Sequence, residues 1–264
     1  MSTILSFPTA VHRQCADAIV DFFRARAATR AVLVVNSCAR GTALPESDLD
    51  VAILIDPALG DSGRQLLERE WQEWYATRPV FRELAPLSRF ACVHLDLFDG
   101  CWTAQVWDDG GGPDCFEIEI GNRVAHAVPL WDRGGAFADL CARWLPYYDE
   151  PLRRERLQMV TQSCRVNIAR MQYAVGRRQY FQALDRLGHA FQEFLQAVFI
   201  ARRVYPIAYN KWIREQVESW LGLPELYAEL PSLFEVRQLE SDELSRKSER
   251  LARLVETWTS PVSP

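Results

Sequence analysis

Two aspartates placed two residues apart, Asp48 and Asp50, have the spacing in this chain that points most directly to chemistry. They stand at the head of the run LDVAILI, which reads as a strand. Side chains alternate along a strand, so the two carboxylates share one face while Leu49 and Val51 turn to the other. Carboxylates side by side repel unless a cation lies between them. Mg2+ suits such a pair, because it is commonly held by a few carboxylates together with substrate phosphate oxygens. Just upstream, the strand AVLVV ends in Asn36-Ser37-Cys38-Ala39, small residues that let backbone amides come close to an anion. Asp96 in VHLDLF sits on a later strand, on the same face as His94 and Phe98. As a third carboxylate it would complete a two-metal centre, the kind that clamps the attacking and leaving oxygens in phosphoryl-type transfer. Glu117 and Glu119 in CFEIEIG compete for that place, or one of them serves as a general base taking the proton from an acceptor hydroxyl. Arg40 either contacts phosphate or pairs with the acidic strand.

These groups need elements to carry them. Residues 10–28 set Val11, Cys15, Ile19, Phe22 and Phe23 at helical spacing. Strands are expected at 31–35, 49–55, 92–98 and 115–121, the last from its strict alternation, with a helix over 62–76 and a turn at DDGGGP, 108–113. Strands interleaved with helices read as an α/β or α+β layer. Beyond Trp144 the strand signals stop. Pro151 begins a long helix to about Gly176, and a second runs from Gln179 to Arg202 with an apolar stripe from Phe181 to Phe199. Shorter helices are expected at 209–221 and 241–258. The boundary between the halves is placed near WDRGG, giving domains 1–132 and 133–264.

The charge divides in the same way. The chain of 264 residues carries a net −5. Residues 1–132 hold 19 acidic and 11 basic side chains, and residues 133–264 hold 16 and 19, so the halves are −8 and +3. The net charge argues against a dedicated nucleic-acid coat. The average apolar and charged content excludes bulk disorder, and no run is long enough to span a bilayer. Seven scattered cysteines without a CxxC pair speak against zinc and disulfides and for a reducing cytoplasm.

The stretch VVNSCARGTALPESDLDVAILI resembles the DNA polymerase beta-like nucleotidyltransferase superfamily, whose signature is a strand, a Gly-Ser loop, a linker and then Asp-hydrophobic-Asp. SCARGTALPESDLD is most similar to the antibiotic (aminoglycoside or lincosamide) adenylyltransferases. The resemblance is specific from Val35 to Ile55 and looser as far as Gly121. It departs from the pattern at Asn36, where the family has glycine, although asparagine tolerates left-handed backbone angles. It implies an α+β fold, with a nucleotidyltransferase domain built on a small mixed sheet flanked by helices and followed by an all-α helical bundle that binds the acceptor. It further implies that Asp48, Asp50 and Asp96 ligate two Mg2+ ions, that Ser37 contacts nucleotide phosphate, and that Lys211, in YPIAYNKW, reaches the triphosphate. The expected reaction moves a nucleoside monophosphate, AMP from ATP foremost, onto a hydroxyl of a small-molecule acceptor. The alternatives are a protein or tRNA acceptor, as in toxin–antitoxin nucleotidyltransferases, and a nucleotide-binding module without catalysis.

Overall fold

The structure is a computed structural model, and it describes residues 5–89, 92–104 and 110–260. It divides into two compact units. The first holds the chain up to Thr103 together with Glu119–Leu145, and the second holds Ala104–Ile118 together with everything from Pro146 on. A single cut at 132 would divide the chain differently: the helix after WDRGG stays with the first unit, and a segment from the first half belongs to the second. Among the described residues, no helix is long and apolar enough to cross a membrane.

The first unit is built on a four-stranded mixed sheet. Its strands are β1 (Thr29–Val34), β2 (Leu49–Ile55), β3 (Val93–Phe98) and β4 (Val128–Asp132), in the order β3-β2-β1-β4. β1 runs antiparallel to β2 and to β4, while β2 and β3 are parallel. Every residue of β2 is buried, as its unbroken apolar run requires of a central strand. One face of the sheet carries Val32, Val34, Leu49, Val51 and Ile53 into a core with α1 (Ala10–Arg24), α3 (Gly60–Thr77) and α4 (Pro79–Leu84). Aromatic rings dominate that core, with Phe22, Phe23, Trp71 and Phe81 in edge-on or tilted contact. The opposite face carries Asp50, Ala52 and Leu54. Gly100 lies so close to Leu54 and Leu140 that a Cβ there would stand 2.8 Å from the Leu140 methyl, which places α6 (Ala136–Trp144) on this side. The single helical turn α2 (Asn36–Ala39) follows β1.

The expected strand at 115–121 is a helix. Phe116–Ile120 forms α5 and runs on into a π-helical turn, Gly121–Ala125. Five residues of alternation do not separate the two periods. Phe116 and Ile120, four apart and both buried, also make a helical face, and the Asp114 carboxylate accepts from the Phe116 N–H at 3.3 Å, as a helix start requires. The sheet's fourth strand is β4, whose Pro129 masks it in the sequence. The DDGGGP turn lies only partly within the described residues.

The second unit is helical. α7 (Glu150–Gly176) is capped by Asp149, which accepts from the Leu152 N–H at 2.9 Å, and Pro151 stands in its first turn. α8 (Tyr180–Arg202) packs back along it, and α9 (Pro224–Glu229) and α10 (Glu243–Trp258) close the core. The helix expected over 209–221 is present over 213–220, its first two residues α-helical and the rest the π-helical segment Glu215–Trp220. The segment that joins this unit from the first half is bolted in by polar contacts. The Gly110 N–H donates to Ser163 Oγ (2.9 Å) and the Gly112 N–H to Glu193 Oε1 (3.2 Å). Glu117, fully buried, accepts from Arg156 Nε (2.6 Å), the Tyr148 hydroxyl (2.6 Å) and Gln196 Nε2 (2.7 Å). Arg156 also reaches Asp114 at 2.7 Å. Burial costs charges their hydration, and this network of short charged bonds offsets the cost.

Candidate active site

The site is assembled where β1 hands over to β2. Asn36 takes φ +55°, the left-handed conformation that asparagine accepts where glycine is usual. That lets the chain turn sharply into α2, and the Val35 N–H still reaches the Asp50 carbonyl at 3.1 Å. Ser37 sits half-buried on α2. Its carbonyl accepts from the Thr42 N–H (3.0 Å), and Arg40 Nη2 lies 3.5 Å from Thr42 Oγ1. Arg40 thus folds over the loop.

The loop's far end is fixed by a residue that the sequence reading passed over. His12, fully buried on α1, lies 2.9 Å through Nε2 from the Ser47 carbonyl, and its Nδ1 lies 2.7 Å from Thr9 Oγ1. A carbonyl can only accept, so Nε2 carries the proton and Nδ1 accepts from the Thr9 hydroxyl. The residue anchored this way immediately precedes Asp48. A lone histidine inside an amphipathic helix gives no sequence signal for such a role.

Asp50 is 8% exposed, with Asp48 half-buried just ahead of it. Register places Asp50 opposite His94 and Ala52 opposite Asp96, so Asp50, His94 and Asp96 share the sheet face turned away from the α1–α3–α4 core. The imidazole stands between the two carboxylates, with Nδ1 3.7 Å from Asp50 and Nε2 3.4 Å from Asp96. Arg123, on the π-helical turn, donates from Nη2 to Asp96 Oδ2 at 3.3 Å and pairs through Nη1 with Glu119. Arg123 was also missed. Its link to Glu119 has i,i+4 spacing, which becomes visible only when 116–125 is read as helix. Cys38 records the field of the aspartates. Burial first, then the Asp50 and Asp48 carboxylates, push its thiol up to about 12, so it stays protonated and is no nucleophile at neutral pH.

The structure therefore gathers Asp50, Asp96 and Glu119 around His94 and Arg123, with Ser37, Arg40 and Asp48 on the adjoining loop. Glu117 belongs to the other unit and is consumed by Arg156, which removes it as a third carboxylate. Lys211 is exposed in the helical unit, where its carbonyl accepts from Gln216 Nε2 at 3.0 Å. Among the described residues no group of three or more His, Cys, Asp and Glu side chains stands ready to hold a metal. The donor set still fits Mg2+, which takes hard oxygen ligands and is usually held by only one or two carboxylates, the rest being water and substrate phosphate. The combined field of Asp48 and Asp50 at Cys38 is what such a cation would neutralise.

Residues 17–86 match the family model described as nucleotidyltransferase domain. The matched stretch holds β1, α2 and β2, and with them Ser37, Arg40, Asp48 and Asp50. Asp96, Glu119 and Arg123 lie outside it. Among solved structures, a nucleotidyltransferase-like protein from Exiguobacterium sibiricum 255-15 is similar at 14% identity, over 92% of this chain and 74% of that one, with a TM-score of 0.47. No curated protein matches the chain.

Proposed function

We propose that the protein transfers a nucleoside monophosphate, with ATP as the foremost donor, to a hydroxyl of a small-molecule acceptor and releases pyrophosphate. The observation that carries this reading is the placement of the carboxylates. Asp48 and Asp50 follow a tight, small-residue turn at the head of a buried strand, and Asp96 lies on the neighbouring parallel strand, on the same face as Asp50.

Mg2+ held by Asp48, Asp50 and Asp96, two ions in the full site, would supply charge neutralisation for the triphosphate and acidify the acceptor hydroxyl. The chain's own groups do the rest. Ser37 and the folded-over Arg40 bind phosphate oxygens. Arg123 orients Asp96 and Glu119 through one guanidinium. Glu119 takes the proton as the acceptor oxygen bonds to the α-phosphorus and the bond from that phosphorus to the β-phosphate oxygen breaks. Lys211 is a proposed triphosphate ligand, so Lys211→Ala is expected to raise KM for the nucleotide more than it lowers kcat.

Calorimetric titration with ATP and Mg2+ tests the site. The wild type should bind in a metal-dependent way, and Asp48→Ala with Asp50→Ala should not; equal binding by both would refute the assignment. Incubation with α-labelled ATP and a panel of hydroxylated antibiotics should label a small molecule. Label appearing only on protein or tRNA would move the acceptor to the macromolecular class.

A further inference from the structure

The hairpin joining α7 to α8 carries a surface made of residues outside the candidate active site. Arg177 and Arg178 follow α7 in the turn, and Arg186 lies on α8 beyond it. Some arginines of this unit are neutralised, as Arg153 is by Glu150, Arg156 by Asp114 and Glu117, and Arg250 by Glu229. Arg177, Arg178 and Arg186 differ: among the described residues none of them has a carboxylate at ion-pair distance. Arg177 Nη1 donates to the Tyr173 hydroxyl (2.9 Å), and Arg186 Nη1 donates to the Gly110 carbonyl (2.7 Å) and Asn167 Oδ1 (3.0 Å). All these acceptors are neutral.

Two aromatic rings are exposed beside these cations, Phe181 at 79% and Tyr173 at 65%, the latter with the Arg177 guanidinium 5.4 Å from its ring centroid. Two shallow hollows of about 450 and 320 Å3 meet there and share Gln179 and Gln182 in their walls; Glu240 is the one acidic residue lining them. Arg178 is held at φ +61°, a conformation that glycine adopts freely and arginine does not. The turn therefore carries a bulky cation where packing alone would favour glycine.

We propose that this surface binds single-stranded nucleic acid. Unneutralised guanidiniums suit the phosphate backbone, and exposed aromatic faces suit unpaired bases, which stack on them whatever their sequence. A duplex keeps its base faces inside its own stack and would engage the arginines alone. An acidic peptide would leave both rings idle. The side-chain amides of Gln179 and Gln182 supply donors and acceptors at the base edges. The proposal does not depend on the catalytic reading, since it is tested without NTP or divalent cation.

The experiment is fluorescence anisotropy of a labelled single-stranded dT oligonucleotide of about 12 residues, titrated with the full chain. Three phosphate contacts predict a roughly 20-fold loss of affinity between 50 and 200 mM salt. Phe181→Ala is expected to weaken binding about fivefold or more by loss of one stacked base. Arg177→Glu and Arg178→Glu should each weaken it at least as much, whereas Arg253→Glu, an exposed charge change of the same size on α10, should leave it nearly unchanged. All four sites are exposed, and unchanged thermal melts will show that the fold is intact. The proposal is overturned by any of three results: no binding at 50 mM salt, a duplex of the same length that binds as tightly as the single strand, or losses in Arg253→Glu that equal those at the hairpin.

Discussion

His12 shows how a single side chain can matter to a site without touching it. It is fully buried, its imidazole satisfies the Ser47 carbonyl, and Asp48 comes next in the chain. Removing the donor leaves that carbonyl without a partner, a cost of about 1–3 kcal/mol. His12→Leu is therefore expected to lower stability in urea by that amount and to weaken Mg2+-dependent nucleotide binding as Asp48 loosens. His12→Gln, which keeps a side-chain donor, should recover part of both. At this scale the sequence told its story unevenly. That Asp50 and Asp96 share one sheet face was legible because a strand's alternation fixes which way side chains point. His12 and Arg123 were not, because each acts through a partner distant in sequence or through a helix that looked like a strand. Asn36 was legible in a physical sense: the substitution for glycine kept the one property the turn needs, and the backbone there is left-handed.

Elements with a long, clean period were readable. The residues of β2 and of the α7–α8 pair fall where the apolar pattern puts them, except that Phe181 and Leu184 at the start of the α8 stripe are exposed instead of packed. Among elements of five or six residues, β1 and β3 fall where expected, but α5 and β4 do not. FEIEI offers the same residues to either period, and burial of Glu117 by a charged partner from α7 breaks the usual equation of acidic with exposed. The helix gives its two glutamates opposite fates, and this can be measured. Glu117→Ala strands Arg156 in the interior with Asp114 as its remaining partner, so a loss of about 3 kcal/mol in urea is expected. Glu119→Ala removes a partly exposed carboxylate and should cost no more than about 1 kcal/mol. Under the proposed chemistry the order reverses for turnover, with Glu119→Ala losing the larger share of kcat. A pair of variants that fell together in both measurements would show that 116–120 acts only as scaffold.

For the molecule as a whole, alkaline conditions should be the weak side. Burial raises both the Cys15 and the Cys38 thiol from an ordinary value of 9.0 to about 12. Below pH 9 both thiols are protonated whether the chain is folded or not, and their contribution to stability is fully present. Between about pH 9 and 12 the unfolded chain sheds these protons and the folded chain keeps them, so stability falls as pH rises. The urea midpoint should therefore drop steadily above pH 9, and less steeply in a Cys15→Ala, Cys38→Ala double variant. The uneven charge visible in the sequence belongs to this scale too. The acidic half supplies the carboxylates around His94, and the basic half supplies the uncompensated arginines of the α7–α8 hairpin. The sequence cut these halves at 132, but packing follows contacts rather than chain order, and residues 104–118 joined the helices.

The parallel pairing of β2 with β3 also orders events in time. β1 and β2 are antiparallel neighbours and can zip soon after the chain turns at Asn36. β3 can dock only after residues 56–92 have crossed over the sheet, which closes a much longer loop. Asp96 therefore reaches Asp50 late on the folding route, when β1 and β2 are already paired. The mutual repulsion of the carboxylates burdens the last step of assembly rather than the nucleus, so neutralising Asp96 should speed refolding little and slow unfolding more.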